Sequence, residues 1–200
     1  MNMKKLLTMM VVALMTATTM SAQKGYDDTK HEVAISIGGL SNSQWIDILE
    51  DVTTVIVGAT YKDETFIGPL SAEYFYHAKN WLGVGGVFVF GQSKEDMYLA
   101  GSKAGKCNNT YLTLMPSVKF DWMRTKHLGA YTKLAAGATL RSESIDYDDA
   151  SKSGYSNSAL HFNWQASLLG LEAGSATIRG FAELGFGEQG VGLIGLRYKF

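Results

Sequence analysis

The chain has 200 residues, 46% hydrophobic and 12% aromatic, with 22 glycines, two prolines and one cysteine. Its 18 Lys and Arg against 19 Asp and Glu leave a formal charge of -1, so no basic patch is on offer to nucleic acid, and a lone Cys107 excludes an intramolecular disulfide. Only 18% of residues are charged, fewer than the surface of a soluble enzyme normally requires, whereas abundant Gly and Tyr suit a curled sheet at a membrane interface.

The first 22 residues read as an export signal, which leaves residues 23–200 as a single domain. Lys4 and Lys5 form a positive n-region, residues 6–15 an apolar h-region, and Ser21 and Ala22 a small-residue cleavage site before Gln23. That apolar run is shorter than the roughly 18 to 20 residues a spanning helix needs. Met20 is larger than usual at its position before the cut, and no cysteine stands there to take a lipid anchor. Without Lys4 and Lys5 the formal charge falls from -1 to about -3.

Residues 31–39 alternate Val33, Ile35 and Ile37 against Ala34, Ser36 and Gly38, the period of a first strand. Over residues 42–58, Trp45, Ile48, Leu49, Val52 and Ile56 recur at helical spacing. Asn42 or Ser43 can cap this segment, acids occupy its first turns and Gly58 can end it. It is expected as a short amphipathic helix in the first long extracellular loop, acting as a lid or interfacial helix or simply packing without a partner. Its β-branched tail over 52–57 also suits a strand.

Alternation returns over residues 66–77, with Leu70, Ala72, Tyr74 and Tyr76 opposite Ser71, Glu73, Phe75 and His77. Pro69 is tolerable there only at a strand end or an irregularity. A tight turn at 78–80 leads to a strand over 81–91, and the polar stretch 92–109 is expected as a long loop that exposes the Cys107 thiol. Strands follow over 110–122 and 128–141, joined by a short turn. Residues 142–157, rich in Ser, Asp and Gly, are expected as a second long loop. The next strand starts near Leu160 with a bulge predicted near Gly170, and after a turn at Gly174 and Ser175 another spans 178–187. The tight turn 188–190 then leads into the last strand.

That last strand, residues 191–200, places Ile194, Leu196, Tyr198 and Phe200 on one face and Leu193, Gly195, Arg197 and Lys199 on the other. With it the strands number eight, each near the 9 to 11 residues that cross a bilayer at a tilt. The long connections all fall on one side. Leu196, Tyr198 and the final aromatic residue Phe200 resemble the C-terminal assembly signal of bacterial outer-membrane β-barrel proteins. Over nearly its whole mature length the chain resembles the small OmpA/OmpX-type eight-stranded barrels.

The resemblance implies an all-β fold, an antiparallel up-and-down transmembrane barrel exported through the secretory pathway to the outer membrane. It implies contact with outer-membrane lipid including lipid A, handling by the outer-membrane assembly machinery, and a monomer facing an unidentified extracellular ligand. The function expected is non-enzymatic, an envelope-structural or surface-interaction role. A narrow or gated, porin-like channel is the alternative, and a lipid A-modifying enzyme a weaker one. A soluble lipocalin-like or sandwich protein would show the same alternation; against it stand the terminal Phe200, the weakly charged apolar faces and the alternating loop lengths.

An eight-stranded barrel leaves an interior that side chains fill. Glu73, Lys119, Asp121, Lys133, Arg179, Glu183 and Arg197 fall on inward faces and are expected to form a lumen ion-pair network, since unpaired buried charges are costly. Arg197 should turn toward Glu183 and Glu73, with Lys199 near the periplasmic mouth. His161, Ser167 and Glu172 are the nearest approach to a catalytic set. His161 and Ser167 lie six residues apart on one strand, about 20 Å, too far for a nucleophile and its base. The four histidines show no ligand spacing and the glycines at 83, 85 and 86 open no helix, so neither a metal nor a cofactor is expected.

Overall fold

The computed structural model describes residues 27–43, 59–99, 102–147 and 154–200. Eight strands follow in order: β1 (His31–Gly39), β2 (Ala59–Lys79), β3 (Leu82–Leu99), β4 (Ser102–Arg124), β5 (Leu128–Tyr147), β6 (Tyr155–Gly174), β7 (Ile178–Gly187) and β8 (Gly192–Lys199). Every strand pairs antiparallel with its chain neighbour, and the sheet closes between β8 and β1. Tyr198 stands opposite Ile178 on β7 and Val33 on β1. The fold is thus an all-β, eight-stranded antiparallel up-and-down barrel without the free edges of a sandwich at its closing strand.

The period of two sorts the chain between two environments. Ile35, Leu114 and Ile194 are each about two-thirds exposed on the outside, whereas Glu73, Lys119, Lys133, Arg179 and Arg197 are buried inside. Apolar side chains therefore face out over a closed hydrogen-bonded wall, the inverse of a soluble barrel. Two apolar clusters also lie inside, Phe75, Val87, Val89, Met115 and Ala135 on β2 to β5, and Ala34, Phe181 and Leu193 on β1, β7 and β8. No helix among the described residues is long and apolar enough to cross a membrane.

The strands are unequal in a way the hydrophobic pattern does not announce. β2 to β6 run 18 to 23 residues, while β1, β7 and β8 run 8 to 10. At about 3.3 Å per residue, 20 residues reach roughly 66 Å and nine about 30 Å. Among the described residues, the stretches expected as long loops, 92–109 and 142–157, are instead mostly β-ladder: Lys94 pairs with Asn108, Asp96 with Lys106, and Glu143 with Asn157. Polar residues on both faces erase the hydrophobic alternation without weakening backbone pairing. Cys107 accordingly sits buried on β4 rather than exposed in a loop.

The bulge expected near Gly170 is there: β6 is irregular between Ser167 and Leu169 in its ladder to β7, and it carries an extra residue between Ser167 and Gly170 against Tyr131 and Lys133 of β5. There the would-be Cβ of Gly170 lies 2.4 Å from the Tyr131 ring, so the glycine makes room for a large inward side chain. Pro69 occupies an irregularity, the slip between Ile67 and Leu70, where β1 also stops pairing with β2. The helix expected over 42–58 falls largely outside the described residues, with Trp45, Ile48, Leu49, Val52 and Ile56 among those outside.

Candidate functional site

The lumen is where the chain concentrates its chemistry. Basic residues lie opposite one another in the wall, Lys119 across from Lys133 and Arg179 across from Arg197. Like charges in that relation repel, so acids must reach them from elsewhere in the ring. Glu172 on β6 does so for four bases, at 2.6 Å from Arg179, 2.5 Å from Arg197, 2.5 Å from Lys199 and 3.7 Å from Lys119. Glu73 on β2 and Glu183 on β7 hold Lys133 from two sides, at 2.5 and 2.8 Å. Glu32 on β1 takes Lys119 at 2.7 Å, and Asp121 lies 3.5 Å from the same ammonium.

All seven residues singled out in the sequence, Glu73, Lys119, Asp121, Lys133, Arg179, Glu183 and Arg197, are brought into this one cluster. Arg197 turns toward both expected acids, Glu73 and Glu183, and toward one more. Its shortest contact is Glu172, while Glu73 and Glu183 lie at 3.4 and 3.9 Å. Sequence reasoning left out Asp27, Glu32, Tyr131 and His77, and considered Glu172 only as a catalytic acid. The Tyr131 hydroxyl donates to Glu183 at 2.7 Å and accepts from Arg197 at 3.1 Å, while the Lys119 ammonium lies 4.2 Å from its ring centroid. The His77 ring sits between Glu32 at 3.2 Å and Asp121 at 3.3 Å. A charged residue on a polar-facing register of β1 or β6 was the available signal for Glu32 and Glu172.

Both ends of the lumen are occupied. At the end that carries the termini, the strap before β1 turns Asp27 inward against Arg179 and Lys199, each at 3.0 Å, with Arg124 at 3.8 Å. Arg124 also donates to the carbonyl oxygen of Thr29. Burial alone would raise the Asp27 carboxyl, but the Thr29 hydrogen bond and the Lys199 and Arg124 charges outweigh it and hold it below its ordinary value.

At the other end the β7–β8 turn folds into the barrel. Glu188, Gln189 and Gly190 are all buried. The Glu188 carboxylate accepts from Ser43 Oγ at 2.6 Å, Ser43 N at 3.1 Å, Asn163 Nδ2 at 2.8 Å and Thr113 Oγ1 at 3.3 Å. None of these donors is charged. Burial pushes the Glu188 carboxyl above its ordinary value, and these hydrogen bonds, which favour the charged form, offset it only in part. Gln189 reaches down to Glu73 at 2.8 Å, tying the turn to the ion-paired layer. Gly38 makes the fit possible, since a Cβ there would stand 1.9 Å from the Gln189 carbonyl oxygen. Asn42 joins the same layer by donating to Asn163 at 2.8 Å.

The catalytic candidates do not come together. His161 is exposed, Ser167 is buried, and Glu172 is committed to four cations. Leu196, Tyr198 and Phe200, the residues expected as an assembly signal, all face outward, and Phe200 stacks on His31 with ring centroids 5.4 Å apart.

No protein-family model and no curated protein matches this chain. Among solved structures it is similar to Ail, the attachment invasion locus protein of Yersinia pestis, crystallised in complex with the heparin analogue sucrose octasulfate. That similarity has 16% identity and a TM-score of 0.47 over 86% of this chain and 99% of Ail. A second crystal structure of Ail aligns at 16% identity and a TM-score of 0.44 over the same shares.

Proposed function

We propose that this chain is an integral outer-membrane β-barrel protein with a non-enzymatic, envelope-structural or surface-interaction role, and a lumen filled by its own ion pairs. The carrying observation is the inversion of the barrel, an exposed apolar exterior around buried charge. Water would penalise so large an apolar surface, whereas a closed ladder satisfies the backbone that hydrocarbon could not. On this reading residues 1–22 direct export and are cleaved, the assembly machinery reads Leu196, Tyr198 and Phe200, and the barrel sits as a monomer among outer-membrane lipids including lipid A.

The projecting part of the wall supports the surface role. β1 pairs with β2 only from Leu70 onward, and β7 pairs with β6 only from Gln165 onward. Among the described residues, the outer ends of β2 and β6 therefore have no strand on the sides that face β1 and β7, although β3 and β5 pair with their other sides. Such edges offer rows of backbone donors and acceptors to an extended segment of another protein. The Asp27 strap and the Glu188 turn, by contrast, stand in the path that a narrow channel would need.

Two measurements test the reading. The detergent-extracted protein should migrate differently on gels before and after boiling. Planar bilayers that contain the unaltered protein should show no steady conductance. A species that never shifts on boiling and stays soluble without detergent would refute the membrane barrel. Stable single-channel steps would instead transfer the assignment to a channel.

A further inference from the structure

Charge is distributed differently at the two ends of the barrel. Toward the outer ends of β3 to β5, Asp96, Lys106 and Asp146 face one another in register, so signs alternate across the wall. The rim that carries the termini has no such compensation. Lys30 beside β1, Lys79 at the end of β2 and Lys126 in the β4–β5 turn are exposed, and none has an ion pair among the described residues. The remaining bases of this rim, Arg124, Arg179 and Lys199, turn inward onto Asp27. The β6–β7 turn carries only Ser175, Ala176 and Thr177, and Asp28 is the exposed acid of the rim among the described residues. The uncompensated cations thus form a crescent over the β1 to β5 half.

The same half carries two indoles of this rim, while Tyr198 and Phe200 lie at the end of the neighbouring β8. Trp81 and Trp122 are each about half exposed. The Lys79 ammonium lies 5.5 Å from the Trp81 ring centroid, and that ring stacks on Phe120 at 6.4 Å. An indole at the apolar boundary with an ammonium beside it matches a glycerophospholipid, the ring lying level with the glycerol region and the cation with the phosphodiester.

We infer that this crescent selects anionic glycerophospholipids, of the phosphatidylglycerol class, in the leaflet that contacts the terminal rim. The inference rests on the membrane-barrel reading and adds a lipid preference to it. Lysines near an anionic surface attract it strongly enough for roughly a fivefold local enrichment apiece at low salt.

The test uses the refolded full barrel with Trp81 as sole tryptophan, through Trp45→Phe, Trp122→Phe and Trp164→Phe, in phosphatidylcholine vesicles. A minor fraction of brominated phosphatidylglycerol is compared with the same fraction of brominated phosphatidylcholine as quencher of Trp81. Quenching by the anionic lipid should exceed that by the neutral lipid about threefold or more. It should fall to parity when Lys30→Gln, Lys79→Gln and Lys126→Gln are combined, and persist in the corresponding Arg variants. Equal quenching in the Trp81 protein, or an excess that survives the Gln variant, overturns the inference. Should that variant not fold, salt decides, because about 1 M salt screens beyond roughly 3 Å and an excess that ignores it overturns the inference as well. Loss of the excess to inorganic phosphate but not to chloride at equal ionic strength would assign the rim to small anions and equally overturn it. If instead neither brominated lipid quenches Trp81, the membrane-barrel reading itself fails.

Discussion

Two layers of the same lumen hold carboxylates by opposite means. Near the termini, Glu172, Glu73, Glu32 and Asp27 are matched by Arg and Lys side chains from across the ring. Near the other end, Glu188 is held by a serine, an asparagine, a threonine and a backbone amide. The first layer gains from attraction between full charges at low dielectric but becomes costly the moment one partner is lost. The second has less to gain and less to lose, because neutral donors left without Glu188 each cost far less than a stranded ion. A barrel can thus be filled rigidly at one end and more adjustably at the other.

The sharpest way to break the comparison is Arg197→Met. It takes one of several cations from Glu172 and weakens the compensation of Glu73 and Glu32, so a loss of about 3 kcal/mol, the lower end for a broken buried ion pair, is expected in denaturant unfolding of the refolded barrel. A loss below about 1 kcal/mol would mean that the layer is wet enough to screen its own charges. Next comes Gly38→Val, which drives a side chain into the Gln189 carbonyl. It should cost roughly 1 to 3 kcal/mol and, by pushing the turn from the lumen, raise conductance in planar bilayers above that of the unaltered protein.

The smallest effect is the most discriminating. Glu188, held above its ordinary value near 4.5, binds its proton more tightly folded than unfolded. Its contribution to stability is complete below that value and is lost as pH rises through the raised one. Asp27, held below its ordinary value of 3.8, contributes above that value and loses its contribution as pH falls through the lowered one. Unfolding midpoints measured against pH should therefore carry two slopes of opposite sign. Glu188→Gln should remove only the higher one and Asp27→Asn only the lower. Identical profiles for the two variants would erase the distinction between the layers.

Which side chains turn inward was legible in the sequence, because a strand that separates lipid from lumen has no freedom in its period of two. Which of them meet was not. Lys119 pairs with Glu32 and Arg197 with Glu172, contacts made across the ring between strands that are not neighbours. Adjacent positions in the ladder suggest repulsion, as with Lys119 and Lys133. Strand ends were hidden for a related reason. Past the apolar band both faces of β3 to β6 become polar, so Lys94, Asp96, Lys106 and Asn108 look like a loop although they form a ladder. The tightness of the 188–190 connection was visible, but its descent into the lumen depends on the missing Cβ of Gly38, some 150 residues away.

The inequality of strand lengths also bears on how the barrel forms and opens. β7, β8 and β1 are adjacent in the ring, and they are the three shortest strands, 8 to 10 residues against as many as 23 for β4. The contact between β1 and β8 also joins segments far apart in the chain, so its loop-closure entropy is the largest of any pairing in the wall. A seam between two of the shortest strands, with the greatest closure cost, is the natural last step of folding and the first site of local opening. Backbone amides of Leu196 and Arg197 should therefore exchange with deuterium well before those of Val118 and Lys119, and the short strands would act as the hinge line of the folded wall.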